Sequence, residues 1–306
     1  MAQLSESILK VVAYFDMFNY PITREEVRIF MDQPADDITL GPVIQSLVEK
    51  NMLWQLGQFY SLRNDPQLVE RRLNGNRLAV KRIRLAMKVA SVISLFPFVR
   101  GVAISGSLSK NFAYKGSDLD FFIITAGNRL WIAKVVLQVA VRVCLTIGLK
   151  KICCLNYYID EEALEIEEQN IFTAVEVLTL LPAKGKGPFQ HFFKTNQWAH
   201  KYLPNGVHRK LPAREMRSWP LKRLFEWLLD NKVGDKLDKQ LMEYHCRRWK
   251  RQLLLKKMMP NGVPLGSVKA NRHVSKPDAR FFQMEILTKF QAKLAEIKHT
   301  SAVKVG

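Results

Sequence analysis

Apolar residues recur at helical spacing in the first part of the chain and predict a compact unit before residue 65. The first helix is marked by Ile8, Leu9, Val12 and Phe15. Thr23 and Glu26 have the spacing of a capping box, which predicts that a second helix starts there and runs to about Met31. A third helix is predicted over about 39–51, and two short strands are predicted on either side of Gly57.

Three helices followed by a β-hairpin resemble a winged helix-turn-helix, and we expect such a domain over 1–65. In winged helices that read DNA, the third helix carries basic or amide side chains into the major groove. The exposed positions of the third helix here include Gln45, Ser46, Glu49 and Lys50, which form a poor phosphate-binding face. We therefore expect a docking or dimerisation module, or a lid beside an active site, more than a DNA reader.

A long basic helix is predicted over 69–96 and ends at Pro97. Its cations are Arg71, Arg72, Arg77, Lys81, Arg82, Arg84 and Lys88. They form either a solvated cationic face or the border of a substrate cleft, and the sequence leaves both interpretations open. Further along, the pattern predicts a helix over 129–149, a strand over 152–159 and a core helix over 171–181.

The stretch 101–125 combines two apolar runs with a turn and a pair of carboxylates, and predicts strand, turn, short helix, turn and strand. Asp118 and Asp120 are two residues apart on the second strand, so their side chains point to the same face. Adjacent carboxylates repel each other, and Mg²⁺ binds such oxygens together with phosphates. Gly106 and Ser107 offer backbone N–H groups and a hydroxyl at a helix start, which suit a phosphate.

The spacing Gly106-Ser107, ten residues, Asp118, one residue, Asp120 resembles the signature of the DNA polymerase beta-like nucleotidyltransferase superfamily, most closely its minimal nucleotidyltransferase branch. The resemblance implies an α+β fold with a small mixed β-sheet core, which the winged helix and a C-terminal helical domain would flank. It also implies that Gly106 and Ser107 hold the triphosphate of a nucleoside triphosphate, with help from Lys110. Asp118 and Asp120 would bind one or two Mg²⁺ ions, for which Mn²⁺ can substitute.

The chain departs from the family pattern in two places. The family carries a third carboxylate on a following strand, where this sequence has Asn156, whose amide can ligate a metal but cannot take up a proton. Asp160 lies four residues further with the same strand parity. The third position is therefore Asn156 or Asp160, or it is dispensable, or catalysis is weak or lost. In the phosphate turn, Leu108 and Lys110 stand where the family often has two arginines, and Lys110 acts as a point charge.

Charge narrows the choice of partner. The net charge of +19 favours polyanions, namely nucleotides, nucleic acid or an anionic surface. Most of this excess lies in residues 201–306, where amphipathic helices and a polar basic loop over 271–277 are predicted. Residues 189–306 contain Trp198, Trp219, Trp227 and Trp249. A flexible linker is predicted over 183–188, so we expect a nucleotidyltransferase core over 66–183 and a basic helical domain over 184–306.

Cysteine spacing and hydropathy bear on the compartment. The four cysteines show no paired zinc spacing and are expected to be free thiols in a reducing cytosol. No signal peptide is predicted at the first residues. The apolar segment 130–149 is interrupted by Lys134 and Arg142, so we expect a buried or amphipathic helix, no stable membrane insertion and a cytoplasmic protein.

These patterns predict a Mg²⁺-dependent nucleotidyltransferase that moves a nucleoside monophosphate from a nucleoside triphosphate to a hydroxyl of a small molecule, an RNA or a protein. Two alternatives stay open. One is a winged-helix regulator that binds nucleic acid; the other is a catalytically degenerate relative that binds nucleotide as a sensor, which Asn156 motivates. The preferred base, the acceptor and the oligomeric state are not encoded in these motifs.

Overall fold

The computed structural model of the protein describes residues 2–146, 153–208, 215–216, 219–255, 267–278 and 282–305. Within these ranges, helices surround one six-stranded mixed sheet, and a three-stranded sheet lies in the first part of the chain. The predicted α+β class is confirmed at this level.

The N-terminal unit, residues 2–61, combines helices with a small antiparallel sheet of order β1-β3-β2. Its elements are α1 (Ala2–Asp16), β1 (Ile22–Thr23), α2 (Arg24–Ile29), α3 (Asp37–Glu49), β2 (Trp54–Leu56) and β3 (Phe59–Ser61). The predicted capping box is present, because the Thr23 hydroxyl accepts from the Glu26 N–H while the Thr23 N–H donates to the Glu26 carboxylate at 2.9 Å. Gly57 turns β2 into β3 with a φ of +65°. The strand β1 was not predicted.

The central part of the chain builds the middle of the larger sheet. Its elements are α4 (Pro66–Ile93), β4 (Val99–Ile104), α5 (Gly106–Ser109), β5 (Leu119–Thr125), α6 (Leu130–Thr146) and β6 (Cys153–Asp160). β4 and β5 run antiparallel, whereas β5 and β6 run parallel with α6 in the connection between them. The predicted short helix is α5, and Asn111, two residues after its end, has a φ of 60°, which stops helical continuation.

The next segment corrects two expectations. Its elements are α7 (Ile171–Thr179), β7 (Leu181–Lys184), α8 (Lys186–Thr195) and α9 (Ala199–Tyr202). The predicted helix over 171–181 ends early, and the predicted linker over 183–188 is instead the end of β7 and the start of α8. Pro182 is paired with Ala103 in β7, an edge strand, where the missing N–H of proline costs no ladder hydrogen bond.

The last third of the chain also joins the sheet. Its described elements are α10 (Pro220–Leu229), α11 (Lys232–Leu255), β8 (Ser267–Ala270), β9 (Val274–Asp278) and α12 (Phe282–Val305). β9 pairs antiparallel with β6, which gives the sheet order β7-β4-β5-β6-β9-β8. The predicted helical domain over 184–306 therefore contains two strands, and the predicted basic loop over 271–277 is mostly the turn and strand of this hairpin.

Apolar side chains cover both faces of the six-stranded sheet. On one face, Phe121 and Ile123 of β5 pack with α4 and α6, whose contributions include Ala79, Ala86, Ala90, Leu130 and Trp131. On the other face, Phe122 and Ile124 pack with Phe189 and Phe192 of α8. This second core is continuous with the core of the N-terminal unit, so the two bury apolar surface together.

Candidate active site

The turn after β4 closes directly onto β5. Gly106 has a φ of +67°, and a Cβ at this position would lie 2.6 Å from Oδ2 of Asp120. The Ser105 N–H donates to the Asp120 carbonyl at 2.9 Å, which fixes the turn against the strand. Only glycine tolerates both the backbone conformation and this approach, so the predicted phosphate turn and the predicted metal-binding strand meet here.

The two aspartates lie next to the beginning of β6, on the side of β5. Asp118 immediately precedes β5 and is exposed, whereas Asp120 lies within β5 and is partly buried. The backbone of Asp120 is in register with Cys154, and the Cys154 thiol lies 3.5 Å from Oδ2 of Asp118. Among the described residues, no group of three or more Asp, Glu, His and Cys side chains is arranged to hold a metal ion. Any metal here would depend on the two aspartates and on oxygens from a ligand.

Two adjoining cavities open at this turn. The first has a volume of about 390 Å³, and Ser105, Gly106, Asp120, Glu176 and Lys276 supply its polar lining together with Thr173 and Gln283. The second has a volume of about 320 Å³ and is also lined by Gly106, Asp120 and Glu176, with Ser107 and Lys110 added. Asp118 lines neither cavity.

The second cavity, which we call the aromatic cavity, has walls made largely of rings. They are Tyr14, Phe15, Phe18, Tyr20, Phe112, Tyr114, Phe172 and Phe282. The N-terminal unit supplies four of these rings, and the Tyr20 hydroxyl donates to the Lys110 carbonyl at 3.4 Å. This unit therefore borders the phosphate turn, as one of the sequence-based interpretations expected.

Arg71 and Glu176 both line the aromatic cavity, but only Arg71 was singled out from the sequence. Arg71 belongs to the basic helix α4, and its guanidinium lies 4.7 Å from the Phe112 ring centre and donates to the Asn19 carbonyl at 2.7 Å. Burial lowers the pKa of Arg71 below its ordinary value. Glu176 was missed, because it is the single acidic residue in the apolar run that predicted a core helix. A single acidic residue in an otherwise apolar helix is the sequence signal that could have identified it.

Lys110 lies in the site but is already paired. Its ammonium is 2.6 Å from a Glu176 carboxylate oxygen and donates to the Gly106 carbonyl at 3.2 Å. The lysine therefore reaches the turn from which a phosphate would be bound. Its charge is partly neutralised by Glu176, so a bound phosphate would compete with that carboxylate.

Asp160 lies at the other end of the strand, which corrects its candidacy for the third position. Asp160 is paired with Thr125, five residues from Asp120 along β5, a separation of roughly 16 Å at about 3.3 Å per residue. It is fully buried, where it accepts from the Asn128 N–H at 2.9 Å and contacts Nδ1 of His273 at 2.8 Å. Its carboxylate has a structural role in joining β6 to β9.

Asn156 lies in β6 where the register with β5 shifts. Phe121 pairs with Leu155 and Phe122 pairs with Tyr157, so Asn156 is the extra residue of a β-bulge next to the candidate site. Its side chain lies outside the described residues, so its part in the site stays a prediction.

Two further surfaces bear on the alternatives. The helix α3 carries Asp37 and Glu49 and has no Lys or Arg within its bounds, which is unfavourable for contact with DNA phosphates. The described helices include none that is both long and apolar enough to cross a membrane.

Comparison of the chain with models of protein families found no match. Neither a curated protein nor a solved structure matched it. Function is therefore inferred from the chemistry of the site itself.

Proposed function

We propose that the protein is a Mg²⁺-dependent nucleotidyltransferase that moves a nucleoside monophosphate to an acceptor hydroxyl. The observation that carries the proposal is the contact of the Gly106 turn with Asp120, at the point where two cavities adjoin. Phosphoryl-type transfer needs little more from a protein than positioning and charge neutralisation. A glycine turn, two carboxylates and a lysine around a cavity supply these elements.

Each residue of the motif has a role in this proposal. The backbone N–H groups at Gly106 and Ser107 bind the β- and γ-phosphates, and Lys110 neutralises part of their charge. Asp118 and Asp120 hold one or two Mg²⁺ ions, or Mn²⁺ in their place. The donor set fits such an ion, because both groups are hard oxygen ligands and Gly106, which has no Cβ, lets the turn approach Oδ2 of Asp120 closely. When bound, the cation neutralises phosphate charge and acts as a Lewis acid.

The aromatic cavity is the proposed site for the base or for a ring-bearing acceptor. Its rings favour a flat partner that stacks or packs edge to face, and Arg71 adds a cation beside Phe112. In this proposal residues 1–65 form a winged-helix-like unit that serves as a wall of the active site rather than as a reader of DNA. Residues 66–183 carry the motif, and residues 184–306 complete the sheet and hold the acceptor, with RNA as one anionic candidate.

A nucleotide sensor without turnover is the second candidate. It is favoured by the Lys110–Glu176 ion pair and by the absence of a third metal-binding side chain near Asp120 in the part of the chain that is described. A sensor would bind the nucleoside triphosphate with Mg²⁺ and release no pyrophosphate.

The proposal is tested by calorimetry and label transfer with ATP, GTP, CTP and UTP in turn. We expect at least one of them to bind more tightly with Mg²⁺ than with a chelator. Label at the α-phosphate should move to an acceptor from a panel of RNA ends and phenolic or sugar hydroxyls, while γ-label leaves as pyrophosphate. Mg²⁺-dependent binding without pyrophosphate release would select the sensor. If none of the four nucleotides binds, both candidates fail.

The Lys110–Glu176 pair predicts opposite effects of two substitutions on nucleotide affinity. Lys110→Met should weaken binding about tenfold, because a cation that neutralises the phosphates is lost. Glu176→Gln should strengthen binding about fivefold, because it frees Lys110 and removes a like charge. Titration calorimetry measures both. Glu25→Gln is the matched control, since Glu25 forms an equally close surface pair with Arg28 at 2.7 Å. Weaker binding by Glu176→Gln would contradict the assigned competition.

A further inference from the structure

The helix α10 is attached to the protein by its polar side. Lys222 is only 5% exposed. Its ammonium donates to the carbonyls of Ser94 at 3.0 Å and Val99 at 2.8 Å. One turn later, a Glu226 carboxylate oxygen accepts from the Phe98 N–H and from Arg100, each at 2.7 Å. These contacts fix which face of α10 points inward.

The outward face of α10 is consequently apolar. Trp227 is 73% exposed, and Leu224 and Leu228 are each 50% exposed. A groove of about 350 Å³ runs beside this face, and its lining is apolar. The aliphatic stem of Lys222 contributes to it, together with Val92, Leu95, Phe96, Pro97, Val136, Trp219, Leu221 and Phe225. A contiguous exposed apolar surface of this kind marks an interaction site.

Cations border the same surface. Lys81, Arg84 and Lys88 are exposed and lie on the side of α4 that ends in Val92, because they precede it by whole helical turns. Arg223 is exposed at the margin of α10. The whole chain has a net charge of +19. The partner should therefore be apolar at its contact and anionic around it.

We propose that α10 and the adjoining groove bind the surface of an anionic phospholipid membrane, with the helix lying in the interface. Leu and Phe side chains enter the acyl boundary in this arrangement, tryptophan rings favour the headgroup level, and Lys and Arg contact anionic headgroups. A second copy of the chain is disfavoured, since it would bring two charges of +19 together. The inference is independent of the proposed transferase activity.

The experiment is flotation of the full chain with vesicles of phosphatidylcholine alone or of equal parts phosphatidylcholine and phosphatidylglycerol. The wild type should float only with the anionic vesicles, and less at high salt. The double substitution Leu224→Gln with Trp227→Gln should lower partitioning about tenfold or more. Ile38→Gln is the matched control, because Ile38 is an apolar side chain 85% exposed on α3; it should float like the wild type.

Four outcomes would overturn the proposal. Equal flotation of the double variant would mean that charge alone attracts the protein. Equal flotation with both vesicle types would remove the anionic requirement. Failure to float with either vesicle would reject the membrane, and sedimentation of a dimer that the double variant makes monomeric would assign the surface to a second copy. Far-UV circular dichroism of each variant excludes unfolding, which is not expected for exposed positions.

Discussion

Asp120→Asn is expected to lower Mg²⁺-dependent transfer of an α-label by at least about a thousandfold, because the substitution removes one of two anionic ligands that the cation needs. Asp120 lines both cavities and approaches Gly106 closely. Asn has nearly the same shape, so the turn and strand should keep their packing. Asp118→Asn should act in the same direction.

Binding distinguishes this loss from misfolding. Affinity for nucleotide in the presence of a chelator should be unchanged or higher in Asp120→Asn, since a negative charge next to the phosphates is gone. The gain in affinity that Mg²⁺ gives the wild type should disappear. Glu49→Gln, a carboxylate change on α3, should keep both transfer and metal dependence. Transfer at wild-type rates by the Asp118→Asn and Asp120→Asn double variant would refute the metal site.

Lys134 is expected to make stability strongly dependent on pH. Its residue is only 1% exposed, and its ammonium lies 4.4 Å from the Trp249 ring centre, with the rings of Tyr158 at 5.2 Å and Trp131 at 5.3 Å. It donates to the buried hydroxyl of Ser275. Burial lowers the pKa of Lys134 from 10.5 to about 7, with Cys246 opposing the shift.

Whether stability rises or falls with pH depends on which state, folded or unfolded, binds more protons. Between pH 7 and about 10 the unfolded chain holds a proton on Lys134 that the folded chain has largely released. The free energy of unfolding should therefore rise with pH across this range by about 1.4 kcal/mol per unit, or about 4 kcal/mol in all. Below pH 7 both states are protonated, and the full cost of burying the charge is present.

Urea unfolding of the wild type and of Lys134→Met over this pH range measures the contribution. The difference in unfolding free energy between the two should change with the stated slope, since methionine fills the space without titrating. His245 and Cys246 also face this site. The Lys134 charge acts to lower the pKa of each, so the difference also contains the change in their titration when that charge is removed. Lys115→Met, at an exposed lysine, should leave the wild-type slope unchanged. A flat difference between wild type and Lys134→Met would show that the amine stays protonated in the fold.

Local signals in the sequence predicted local structure well. The capping box at Thr23 and Glu26, the turn at Gly57 and the Gly106 to Asp120 unit each depend on residues close in the chain, so their patterns are complete in one short stretch. The contact between Gly106 and Asp120 follows from that same locality. Strand parity also predicted that Asp118 and Asp120 share a face; Asp118 precedes β5 and lines neither cavity, so this stays a prediction.

Features that depend on distant partners were not predictable in this way. Pro182 looked like a helix end, because nothing nearby indicated that β4 would leave an edge for β7. Asp160 matched the parity of Asn156, but the parallel register with β5 moves it to the far end of the sheet. In the sequence, Lys134 interrupts an apolar helix. Its burial depends on the rings of Tyr158 and Trp249, which lie far away in the chain. The apolar face of α10 points outward because Lys222 and Glu226 bind groups near the start of β4, and those partners are distant in the chain.

The aromatic cavity takes walls from both α1 and α12, which lie far apart in the chain and contact each other through Tyr14 and Phe290 at 5.6 Å. Translation delivers the phosphate turn and both aspartates well before Phe282 leaves the ribosome. A nascent chain, or one clipped by a protease between α11 and α12, would carry the complete motif beside an open wall. In the proposed transferase, such a chain would keep the motif but lack the Phe282 wall of the cavity proposed for the base or for a ring-bearing acceptor.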